Sequence, residues 1–124
     1  MSKLLIVDDD INITKIYSRI AHQLGFEVQV INDPLLATEA FLAFTPDVVM
    51  LDMMMPDKDG AEVLHEILAS GAPARIIVSS GYGDAILRLS TGVGALHGGD
   101  RVSVLKKPVR NAELKQLLLE AQAG

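Results

Sequence analysis

Five short apolar runs punctuate the chain: "LLIV" (4–7), "FEVQV" (26–30), "VVML" (48–51), "IIV" (76–78) and "VSVL" (102–105). Each has the length of a β-strand, and between them apolar residues recur at helical spacing. In the first intervening segment Ile13, Ile16, Tyr17, Ile20 and Leu24 form one stripe, and Gly25 stands where a helix would stop. The second opens on Asn32-Asp33-Pro34, a capping residue before a proline suited to a first helical turn, and its stripe is Leu36, Ala37, Ala40, Phe41 and Phe44. The third follows Asp59-Gly60 and turns Val63, Leu64, Ile67 and Leu68 inward. A fourth, from about Asp84, is weakened by Gly92, Gly94, Gly98 and Gly99. The last carries Leu114, Leu117, Leu118 and Ala121.

Strand and helix alternating five times predict an α/β fold: an open, doubly wound, mostly parallel five-stranded sheet with helices on both faces, three layers in all. Continuous runs at 4–7 and 48–51 suit central strands covered on both sides. "FEVQV" alternates instead, as an edge strand exposing Glu27 and Gln29 would. No linker, repeat or low-complexity stretch interrupts the pattern, so the reading is a single domain over 1–124.

Composition narrows the function. Apolar residues make up 49% and aromatics only 4%, so the core is aliphatic. A net charge of −5 argues against direct nucleic-acid binding and against an anionic membrane surface. The chain has no cysteine, which removes disulfides and thiolate metal sites. No apolar run reaches the roughly 18 residues of a membrane span, and "MSKLLIVDDD" lacks the form of a signal peptide. The expected location is cytoplasmic.

The polar residues are placed systematically. Asp8-Asp9-Asp10 follow the first strand, Asp52 the third, Ser79-Ser80 the fourth and Lys106-Lys107 the fifth. In an open parallel sheet those carboxyl ends share one edge, where such folds bind ligands. A carboxylate cluster repels itself unless a cation is present, and an all-oxygen donor set points to Mg²⁺. A carboxylate nucleophile, a divalent metal, a hydroxyl and a lysine are the parts needed to move a phosphoryl group onto Asp52.

"IVDDD", "LDMMMPDKDG", "SSGYGD" and "KKP", in that order, resemble the receiver domain of two-component response regulators, from about Lys3 to Ala121. The resemblance implies a flavodoxin-like strand order 2-1-3-4-5. It makes Asp52 the phosphoacceptor, with Asp8 and Asp9 as metal-binding acids, Asp9 directly and Asp8 through water. The Met54 carbonyl would join Asp52 in the metal shell. Ser80 takes the place of the switch hydroxyl and Lys107 that of the phosphate-binding lysine. The implied donor is a histidine kinase or phosphotransfer protein, and the implied output is altered binding to a downstream protein, either alone or as one piece of a larger chain. The implied chemistry stops at the domain's own phosphorylation and slow dephosphorylation. Asn12, Lys15, Ile16 and the Pro108-Val109 turn are the candidate docking residues. Two features depart from the family: Val104 stands where an aromatic is usual, and the span from Ser80 to Lys107 is longer than usual and rich in glycine.

Two other readings stand beside this one. A phosphorylation-independent interaction domain would keep the pocket as a relic. A small-molecule phosphatase would want a second acid two residues after the nucleophile, where Met54 stands. Local roles are assigned to the remaining polar residues: Asp10 is the first helix's N-cap, and Asp57 and Asp59 are turn and cap residues. Ser79 faces the opposite side from Ser80, and Lys106 points away from the site. Met53, Met54 and Met55 cannot converge on a soft metal. "MPDKDGAEVLHE" (55–66) has Met55 where a calcium loop needs a carboxylate. "GVGALHG" (92–98) follows a helical pattern, whereas a dinucleotide fingerprint follows a strand. His22, His65 and His97 are isolated singletons.

Overall fold

A computed structural model describes residues 2–80 and 101–123, with Ser80 and Ala123 described by their backbones alone. The expected helix from Asp84, the 92–98 glycine motif, His97 and Tyr82 lie outside the described residues. The five apolar runs are strands: β1 (Lys3–Val7), β2 (Glu27–Ile31), β3 (Val48–Asp52), β4 (Arg75–Ser80) and β5 (Val102–Lys106). They form one sheet in the order β2-β1-β3-β4-β5, every neighbouring pair parallel. The described helices are α1 (Ile11–Gln23), α2 (Ala37–Phe44), α3 (Gly60–Ala69) and α4 (Asn111–Ala123).

The period of two along the strands sorts the core into two layers. Leu4 and Ile6 of β1, Val48 and Met50 of β3, Ile77 and Leu105 face Tyr17, Ile20 and Ala21 of α1 and Leu114 and Leu118 of α4. Leu5 and Val7, Val49 and Leu51, Ile76 and Val78 face Ala37 and Phe41 of α2 and Val63, Leu64 and Ile67 of α3. Burying each such aliphatic side chain is worth roughly 1.5–3 kcal/mol, more than a single cap or turn. The central strands are therefore apolar on both faces over 4–7, 48–51 and 76–78.

Helix starts and stops follow the expected chemistry. Asp10 caps α1, its Oδ1 accepting from the amides of Asn12 (3.0 Å) and Ile13 (3.1 Å). Asp59 caps α3 by accepting from the Glu62 amide at 2.9 Å. Past α1, Gly25 adopts a φ of 91°, the left-handed turn for which glycine is suited.

Three expectations need correction. Ile16 is 47% exposed, because Ile13, Tyr17 and Ile20 take the inward face of α1 and leave it on the shoulder. Leu36 is 49% exposed. Asp33 caps a tighter 3-10 turn over Pro34–Leu36, and α2 begins only at Ala37, so the winding changes phase across Leu36. In β2 Glu27 is exposed as expected, but Gln29 is half-buried, and Phe26 is a buried residue preceding the strand.

Candidate functional site

Register builds the site. Val7 pairs with Leu51, Asp52 with Ser79, and Ser80 with Lys106. The residues ending these strands therefore stand side by side at one edge. Asp8 is the first residue past β1, Asp52 the last of β3, and Lys107 the first past β5. Asp8 and Asp52 are buried, at 2% and 3% exposure, whereas Asp9 is exposed. Carboxylate oxygens of all three lie within 4.8 Å of one another. The structure thus brings together the three acids the sequence singles out.

Asp52 is held by two donors. Its Oδ1 accepts from the Met54 amide and from the Lys107 ammonium, both at 3.1 Å. Asp8 Oδ1 accepts from the Asp10 amide at 2.9 Å. Asp8 Oδ2 is buried and, among the described residues, is the one buried side-chain oxygen or nitrogen with no partner. Such an atom costs about 1–3 kcal/mol, and more if charged.

The electrostatics are correspondingly strained. At 4–5 Å each carboxylate pair repels by roughly 4 kcal/mol at a protein's effective dielectric, and a single ammonium cannot offset three such pairs. Burial pushes Asp8 up to about 6; the charges of Asp52 and Asp9 add to this, while the Asp10 amide and Lys107 work against it. Tyr17 is pushed up to about 12, first by burial and then by the charges of Asp8, Asp52 and Asp10. A hard divalent cation fits this donor set: the oxygens converge, one is orphaned, and among the described residues no histidine joins them, the chain having no cysteine.

The remaining sequence candidates divide. Met54 is fixed beside Asp52 through its amide, and its side chain is 42% exposed. Ser80 ends β4 beside Lys106, and its side chain lies outside the described residues. Ser79 is buried and Lys106 is exposed. Of the docking candidates, Ile16, Pro108 and Val109 line one open trench with Ile13, Tyr17 and Lys107, whereas Lys15 lines a separate groove between α1 and β2. Val104 is half-buried against the α2–α3 layer.

Two residues given no part in the site by the sequence also belong here. The Asn32 carboxamide donates to the Asp8 carbonyl at 2.9 Å and to Thr14 Oγ1 at 3.2 Å. Thr14 is itself buried. The available signal was positional: Asn32 is the polar residue just past β2, as Asp8 is just past β1, and Val7 pairs with Ile31.

Comparison with known proteins bears on the family and the fold. Residues 4–119 match the family model for the response regulator receiver domain. A CpxR-homologue transcriptional regulatory protein of Haemophilus influenzae is 36% identical over 116 residues, covering 92% of this chain and 47% of that protein. Sporulation initiation phosphotransferase F of Bacillus subtilis is 30% identical, covering 76% of this chain and 77% of that protein. The chain spans about half or less of several curated relatives it matches, down to 22% of the regulatory protein AtoC of Escherichia coli. In fold, it superposes on the receiver domain of a DNA-binding response regulator from Colwellia psychrerythraea with a TM-score of 0.87, all of both chains covered, at 22% identity.

Proposed function

The chain belongs to the response regulator receiver family of two-component systems, and we propose that Asp52 is its phosphoacceptor. The observation that carries this reading is the buried Asp52 carboxylate held between the Met54 amide and the Lys107 ammonium, beside two further acids. With Oδ1 so engaged, Oδ2 is the oxygen left to attack phosphorus. The Asp52 O–P bond forms as the P–N bond of a donor phosphohistidine breaks, and the leaving imidazole keeps the electron pair and takes up a proton. Lys107 offsets the added charge, and Ser80, at the end of β4, would supply a hydroxyl to the phosphoryl oxygens.

Asp8, Asp9 and Asp52, with the Met54 carbonyl, would hold Mg²⁺. The ion would supply charge neutralisation for the phosphoryl oxygens during transfer. A histidine kinase or phosphotransfer protein would reach Asp52 over the trench of Ile16, Tyr17, Pro108 and Val109. The phosphorylated form would then change its binding to a downstream protein. The domain's own catalysis would end at acquiring and slowly losing the phosphoryl group. None of the described helices is long and apolar enough to cross a membrane, and a cytoplasmic setting fits this role.

The test is acetyl phosphate with Mg²⁺, read by intact mass. One phosphoryl adduct is expected on the parent protein and none on Asp52→Asn, which keeps the shape and loses the nucleophile. An adduct of equal yield on that variant would overturn the assignment, and no adduct on the parent would favour a phosphorylation-independent interaction domain.

A further inference from the structure

The acidic turn between β1 and α1 is held from outside by one side chain. Asp8 donates its amide to the Ile31 carbonyl at 3.1 Å, and its own carbonyl accepts from Asn32 Nδ2 at 2.9 Å. The end of β2 thus engages both main-chain groups of Asp8. The same Asn32 nitrogen donates to Thr14 Oγ1 at 3.2 Å. Thr14 in turn donates its hydroxyl to the Ile11 carbonyl at 2.9 Å, and its amide bonds Asp10 O at 3.1 Å. Asn32 therefore spans the turn, one proton on the residue before Asp9 and the other on the first turn of α1.

The chemistry requires a carboxamide nitrogen there. The Asp8 carbonyl can only accept, and the Thr14 hydroxyl has committed its proton to Ile11. Both neighbours need a donor, and an NH₂ group has two protons in a fixed plane. An aspartate at this position would set an acceptor against two acceptors.

We infer that Asn32 is a positioning residue for the cation site: by bridging Asp8 and Thr14 it fixes the turn that carries Asp9 and aims the orphaned Asp8 Oδ2 at the ion. This rests on the acidic cluster being the Mg²⁺ site. Asp9 is exposed and has no carboxylate hydrogen bond of its own among the described residues, so its placement depends on the turn. Side chains that orient metal ligands from behind typically cost 10–100-fold in affinity when removed.

The experiment is Mg²⁺ titration by calorimetry of the parent, Asn32→Ala, Thr14→Val and Asp33→Ala, with metal-free unfolding midpoints and the Asp9 and Asp10 amide NMR shifts. Asp33→Ala is the control: it removes a neighbouring cap, the Leu35 amide to Asp33 bond of 3.0 Å, that does not touch the turn. Asn32→Ala should weaken Mg²⁺ binding about tenfold or more and move both amide shifts. Thr14→Val, which leaves the Asp8 bond in place, should lose less, and it carries the test if Asn32→Ala fails to fold. Asp33→Ala should lose stability with unchanged Mg²⁺ affinity. Equal affinity in the parent and Asn32→Ala would overturn the inference alone, as would equal losses in Asn32→Ala and Asp33→Ala. A parent that binds no Mg²⁺ would overturn the cation site together with it.

Discussion

Met54 serves the proposed chemistry through its main chain, while its side chain stands beside that chemistry without a part in it. Its amide donates to Asp52 Oδ1, while its side chain is 42% exposed beside the carboxylate. Hydrolysis of an aspartyl phosphate needs a water lined up behind phosphorus, opposite the Asp52 oxygen. A thioether is a weak acceptor and no useful donor, so it cannot hold that water. The phosphorylated protein should therefore decay slowly. Met54→Asn, with a donor and an acceptor, should speed decay by on the order of tenfold, below the 10²–10⁴ of full general-base assistance. The measurement is loss of the adduct after donor removal, with Mg²⁺ present; equal or slower decay in the variant would place control of the water elsewhere. At this scale the acids of the site were legible because Asp8, Asp9 and Asp52, a serine and a lysine all follow apolar runs whose carboxyl ends share one edge. An isolated Asp52 would have read as a cap or loop acid. Asn32 was not, because its partner Asp8 lies 24 positions away and the two meet only through strand pairing.

The element that holds Asp52 from behind is α3. A Cβ on Gly60, its first residue, would lie 2.4 Å from the Asp52 carbonyl oxygen and 2.5 Å from Met53 Cα. The start of α3 and the end of β3 thus meet backbone to backbone, joined by the Gly60 amide to Met53 carbonyl bond of 3.2 Å. Gly60→Ala should destabilise by about 1–3 kcal/mol, the usual range for overpacking a tight site. An unchanged urea midpoint would show that this junction yields freely. The loop ahead of α3 is tied down by Glu66, whose carboxylate accepts from the Lys58 ammonium and the Thr38 hydroxyl. The Lys58 bond, then the Thr38 bond, hold Glu66 below its ordinary value. A lowered folded value means that the stability it contributes is present above the ordinary 4.5 and is lost as pH falls through the folded value. Stability of the parent should therefore drop more steeply than that of Glu66→Gln below about pH 4.5, the contribution staying under about 1 kcal/mol because the Glu66 side chain is 41% exposed. Parallel pH profiles in urea would count against this tie. Strand-length apolar runs and cap residues made these elements legible, down to Asp10 and Asp59. Helix phase was harder: Leu36 and Ile16 fit an ideal 3.6-residue period, yet a 3-10 turn displaces one and a shoulder position exposes the other.

Across the whole molecule, the strand order that stacks two aliphatic layers also aligns the strand ends, so core and site are consequences of one register. That is why the site could be assembled from the sequence, since parallel strands leave their carboxyl ends on one edge. It also couples the acidic cluster to global stability. Three carboxylates within 4.8 Å, one of them with an orphaned buried oxygen, are a standing cost in the metal-free protein. Asp9 is exposed and contributes charge without packing, so Asp9→Ala should raise the metal-free unfolding midpoint by relieving repulsion. With Mg²⁺ the order should reverse. A cation that binds only the folded state stabilises by RT ln(1 + [Mg²⁺]/Kd), about 2.7 kcal/mol at one hundred times Kd, and the variant should gain little at the same concentration. Urea unfolding of both proteins, with and without Mg²⁺, should therefore give curves that exchange rank, while the denaturant slope, which follows the surface exposed on unfolding, stays constant. Equal Mg²⁺-induced gains in the two proteins would remove Asp9 from the ligand set. A variant no more stable than the parent without metal would instead show that Lys107 and the Asp10 amide already balance the cluster.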